Sequence, residues 1–105
     1  MVSRSIFQRI HVSGDINAGW ASGTITDTED VTDFVSLIGY RANNLLVIND
    51  GPNSVYVAVN STASTNDFEL KNGEFISIPV LVDSLHLICN SGETANVRIF
   101  FTVLE

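Results

Sequence analysis

From Asn43 to Leu104 the chain alternates short runs of β-branched and aromatic residues with clusters of turn residues, and this rhythm constrains its fold more than any other feature. Strand side chains point alternately to opposite faces, so a run that is apolar at every second position presents one face to a core. Ser54 to Asn60 puts Val55, Val57 and Val59 on one face and Tyr56 and Ala58 on the other. Leu85, Leu87 and Cys89 repeat the pattern, as do Val97, Ile99, Phe101 and Val103 in the run from Asn96 to Leu104. In that last run Phe100 must face away from the core that receives Phe101, which points to a second buried surface.

Turn chemistry separates the runs. Leu45 to Ile48 is closed by Asn49, Asp50, Gly51, Pro52 and Asn53, a hairpin signature, and Phe68 to Leu70 is followed by Lys71, Asn72, Gly73 and Glu74, which implies a second hairpin because Asn-Gly tolerates positive φ. Ser61 to Asn66 reads as a polar loop and Asn90 to Glu93 as a turn. The run Phe75 to Val82 contains Pro79, which cannot donate to a ladder and so places this strand at an edge or interrupts it. Between Val31 and Ile38 a helical period and a strand period compete, and β-branched content favours a strand. The predicted fold is all-β, an antiparallel β-sandwich or jelly-roll-like body with an extended N-terminal segment. Residues 1–28 form an arm or edge segment and 29–105 the sandwich.

A chain of 105 residues encloses one core and not two. Hydrophobic residues make up 45% of it, which is apolar for a body with so much surface, so a partner is expected to cover part of that surface. A net charge of −7 opposes attraction to nucleic acid or to anionic membranes. Arg4 and Arg9 make the first segment locally basic, in keeping with a docking arm in which Ile6, Phe7 and Ile10 are anchors. The lone Cys89 excludes an internal disulfide, and its apolar neighbours predict a buried thiol. No apolar run reaches membrane-spanning length and no signal-peptide pattern opens the chain, so folding in a cytoplasm is the expectation.

Candidate chemistry is sparse. Asp83, Ser84 and His86 suggest a hydrolase, but on a strand Ser84 and His86 share a face with Asp83 opposite, and the two lie roughly 6.6 Å apart along it. A bend followed by an outward histidine is the preferred reading. Asp27, Glu29, Asp30 and Asp33 lack the glycine and terminal glutamate of a calcium loop, so they read as a solvated face or a helix start. His11, His86 and Cys89 do not have zinc-ligand spacing, and no glycine run forms a nucleotide fingerprint. No metal, no cofactor and no enzymatic activity are expected. Asn60, Ser61 and Thr62 match a glycosylation sequon that carries little information without a secretory signal. Trp20, Tyr40 and Tyr56 could form a sugar-stacking platform if they shared one exposed face.

The stretches LLVINDGPNSVYVAVN, FELKNGEFISI, VDSLHLICNSG and TANVRIFF resemble small β-sandwich virion accessory proteins of tailed bacteriophages, such as capsid decoration (cement) proteins, over roughly the last 65 residues. The resemblance implies a non-enzymatic virion protein that binds and stabilises the major capsid shell, made in the host cytoplasm, often as a homo-oligomer (dimer or trimer). Ile6, Phe7, Ile10, Trp20 and Phe100 are then the candidate interface. The alternative is a carbohydrate- or receptor-binding module of a phage tail.

Overall fold

The computed structural model of the chain describes residues 11–13 and 18–104. In chain order the described elements are β1 (His11–Ser13), β2 (Ala18–Ile25), β3 (Asp30–Asp33), α1 (Phe34–Ile38), β4 (Arg41–Pro52), β5 (Val55–Val59), β6 (Phe68–Leu70), β7 (Phe75–Ile78), β8 (Ser84–Ile88) and β9 (Ala95–Leu104). They form two antiparallel sheets, one in the order β1-β2-β9-β4-β7 and the other in the order β3-β8-β5-β6. Most connections after β2 cross from one sheet to the other, which makes this a jelly roll.

The alternation seen in the sequence is the core. Val55, Val57, Leu85, Leu87 and Cys89 face inward from the four-stranded side, and Ala21, Ile25, Leu45, Val47, Val97, Ile99 and Phe101 from the five-stranded side. Val59 and Val103 pack at the margin. Phe34 closes one end against Phe101, with ring centroids 5.0 Å apart at 59°.

Two hairpins inferred from turn residues are not hairpins. Gly51 has φ 84 and Gly73 φ 84, so both turns use the positive φ that glycine permits. Yet β4 pairs with β7 and β9 while β5 pairs with β6 and β8, so each turn carries the chain between sheets. Alternation tells which side chains face inward but not which strand lies alongside. The fully buried Asn49 fixes the crossover: its Nδ2 donates to the carbonyls of Asn53 and Leu70, at 2.8 Å each, and its Oδ1 accepts from Gly51 N–H at 2.8 Å. Any Cβ at position 51 would collide with the Asn72 side chain.

The strand expected over residues 31–38 is also corrected. Its first part is β3, but Phe34–Ile38 turns into a helix whose N-cap Asp33 accepts from Ser36 N–H at 3.1 Å and whose C-cap Gly39 has φ 81. The two competing periods are both present, one after the other. Of the segment 1–28, residues 11–13 form the edge strand and 18–25 an inner strand between β1 and β9; residues 1–10 and 14–17 lie outside the described residues. β7 ends before Pro79 and is an edge strand.

Phe101→Ala removes half of the ring pair from a site with 0% exposure and should cost about 3–5 kcal/mol, read from urea unfolding. A loss below about 1 kcal/mol would show that this pair does not close the core.

Candidate functional site

Jelly rolls and barrels commonly take ligands between their sheets or at their mouths. Here the inward-facing side chains are the Val, Leu, Ile and Phe residues of the core, and among the described residues the buried polar side chains are Asp30, Thr32 and Asn49. Asn49 is committed to the crossover. Asp30 and Thr32 offer one carboxylate and one hydroxyl, and no group of three His, Cys, Asp or Glu side chains comes together among the described residues. That donor set does not fit a metal ion.

The outer face of the four-stranded sheet carries a hydrogen-bonded chain that spacing along the sequence did not reveal. Ser84 and His86 project outward from β8, and Ser84 Oγ lies 2.8 Å from His86 Nε2. His86 Nδ1 lies 3.1 Å from Glu29 Oε2, so Glu29, distant in sequence, takes the place considered for Asp83. Asp83 instead pairs with Arg41, Nε to Oδ1 at 2.7 Å. The order serine, histidine, carboxylate is that of a catalytic triad. A triad also needs free donors for the oxyanion, and here the N–H groups of Asp83 and Ser84 both donate to Asn60 Oδ1, at 2.7 and 3.1 Å. Asn60 N–H in turn donates to the Ser84 carbonyl at 2.8 Å. Nor is His86 an open outward histidine: its side chain is 13% exposed, and Glu29 Oε2 also accepts from Ala63 N–H at 2.6 Å. The chain is a clasp tying the 60–67 loop and the segment before β3 to β8.

The acidic cluster is dispersed in the same way. Asp27 accepts from Gly92 N–H at 2.8 Å, Glu29 joins the clasp, Asp30 is buried and Asp33 caps α1. The three aromatic residues of the proposed sugar platform also separate. Trp20 lies on the outer face of the five-stranded sheet, Tyr56 on β5 of the opposite sheet with its hydroxyl 3.2 Å from Asn90 Nδ2, and Tyr40 beyond α1.

Two of the candidate interface residues do meet: Trp20 and Phe100 are cross-strand partners, 47% and 48% exposed. With Ser22, Ile48 and Arg98 they line a depression of about 240 Å³. Arg98 reaches Asp50 through Nε at 2.7 Å and Nη2 at 3.0 Å, and this bond holds the Asp50 carboxyl below the ordinary range. Ile6, Phe7 and Ile10 lie outside the described residues.

No family model and no curated protein matches the chain. Among solved structures it is similar to a cupin domain from Bordetella pertussis (TM-score 0.58, 11% identity, 100% of this chain and 99% of that one). It is also similar to the Cnp3 cupin domain of Schizosaccharomyces pombe (TM-score 0.56, 11% identity, 90% and 59%) and to plu4264 of Photorhabdus luminescens (TM-score 0.53, 21% identity, 82% and 62%). The chain thus spans about six tenths of the last two structures. At these identities the likeness is one of fold, a cupin-like jelly roll. These neighbours overturn the resemblance to phage decoration proteins, and with it the capsid-stabilising role, the phage-tail alternative and the virion location.

His86→Ala should lower stability by about 1–2 kcal/mol in thermal denaturation, because Glu29 loses a part-buried partner, whereas Ser84→Ala should cost under about 1 kcal/mol. Equal costs would show that no clasp exists. Burial pushes the Cys89 thiol from 9.0 up to about 11, with Glu93 and Asp27 adding to the shift. The fold therefore disfavours the thiolate. That contribution is intact below pH 9 and is lost as the pH rises from about 9 towards 11, and Cys89→Ala should remove this alkaline loss in pH-dependent unfolding.

Proposed function

We propose that this domain is a non-enzymatic module that works through its outer surfaces and associates with further copies of itself. One observation supports this reading most: large apolar side chains remain on the outside, among them Trp20, Phe75, Val80, Leu81 and Phe100. Such surface is uncommon on a small monomer, and covering it contributes favourable burial without any chemistry. The net charge of −7 disfavours nucleic acid and anionic membranes as the covering partner. The clasp weighs against hydrolysis, since its nearest backbone donors are engaged by Asn60.

Size exclusion with light scattering should return a mass above the 11.4 kDa of one chain. A monomer at every concentration overturns self-association. Hydrolysis of p-nitrophenyl acetate should be no faster for the natural chain than for Ser84→Ala; a rate lost in that variant and in His86→Ala would overturn the non-enzymatic reading.

A further inference from the structure

The sheets have four edge strands among the described residues, and three of them differ from the fourth. Long, flat, uncharged edges invite pairing with another chain, and natural proteins blunt them with charge, brevity or a continuing segment. β3 carries Asp30 and Asp33, β6 is three residues long and carries Glu69, and β1 is three residues long. β7 has the sequence FISI, with no charge and no proline, and the uncharged stretch runs on through Pro79, Val80, Leu81 and Val82 to Asp83.

The ladder shows which groups β7 turns outward. Asn49 N–H donates to Glu74 C=O and Gly73 N–H to Asn49 C=O, both at 2.9 Å, so this is a hydrogen-bonded position of the β4–β7 pair. Hydrogen-bonded and non-bonded pairs alternate in an antiparallel ladder. With Ile48↔Phe75, Val47↔Ile76, Leu46↔Ser77 and Leu45↔Ile78 in register, Ile76 and Ile78 bond to β4. Phe75 and Ser77 therefore turn their N–H and C=O groups toward the open edge.

We propose that β7 of a second copy occupies this edge, antiparallel about a two-fold axis, so that the two five-stranded sheets join into one. This rests on the reading of the domain as self-associating and names the contact. With Ile76 opposite Ile76, Phe75 falls opposite Ser77 of the other copy and both pairs exchange N–H···O=C bonds, a self-complementary arrangement. Glu74 falls opposite Ile78, so a chain of charge −7 makes this contact without setting carboxylate against carboxylate. The flanking side chains supply apolar area. Phe68 and Phe75 line a groove with Leu70, Gly73 and Glu74, Phe75 is 70% exposed, and Val80 and Leu81 continue the chain beyond. Together they offer roughly 400 Å² per copy, or about 800 Å² for the pair before backbone and rim are added, which approaches the ~1,000 Å² of a specific interface.

The test uses Ser77→Pro, which deletes an outward N–H and leaves the bonds of Ile76 and Ile78 to β4 in place. Light scattering should give two chains for the natural protein and one for Ser77→Pro, while Phe100→Asp stays dimeric. If Ser77→Pro remains dimeric, the β7 contact is overturned while self-association stands, and loss of the dimer in Phe100→Asp would move the contact to the Trp20 face. A natural chain that is always monomeric overturns both. Amide hydrogen exchange on the natural chain gives a readout independent of the variant's folding. The Phe75 and Ser77 amides should gain protection as concentration rises, and concentration-independent exchange at both overturns the proposal.

Discussion

The pairing of β4 with β9 is the contact on which the rest of the molecule depends. It runs from Arg41↔Leu104 to Pro52↔Ala95 at the middle of the five-stranded sheet, and β5, β6, β7 and β8 all lie in the chain between its two strands. Closing that long loop has an entropic cost that grows only slowly with length, and the inward row Leu45, Val47, Val97, Ile99 and Phe101 offsets it by burial. Once the ladder is closed, the intervening strands cover its inner face as the second sheet, and β7 returns to add a strand beside β4.

Polar residues make those returns specific. Asn49 is buried and fully engaged, and it binds the turn after β4 and the end of β6 in one network. Asn60 performs the same service for the entry into β8, and Glu29 with His86 holds the 60–67 loop onto the outer face of the second sheet. Unmaking the Asn49 bonds would leave a buried group without water or partner, which is why they select one loop path over its neighbours. The same satisfaction removes chemistry: a serine, histidine and carboxylate in triad order stabilise a loop when the adjacent backbone donors are occupied.

The jelly roll is shared by capsid proteins, lectins and cupins, so a pattern of alternating strands and glycine turns cannot choose among them. The likeness to phage proteins drawn from such stretches was a likeness of architecture, and the cupin domains found among solved structures show how far that architecture extends. In this chain several large apolar side chains, Trp20, Phe75 and Phe100 among them, are displayed on the outside.

The all-β class, the inward residues of β5, β8 and β9, the outward turn of Phe100, the buried Cys89 and the limit that Pro79 sets on its strand are all legible in the amino-acid order. Each of these follows from a local rule, the two-residue alternation of strand side chains or the missing N–H of proline. Long-range pairing sets the rest: the turns at Asn49–Asn53 and Lys71–Glu74 change sheets, Glu29 rather than Asp83 meets His86, and Trp20 sits beside Phe100 on the sheet opposite Tyr56. Those are statements about which distant segments lie side by side. Alternation is identical for every antiparallel partner, so the choice is made by the buried hydrogen bonds and packing that appear once the whole chain is closed.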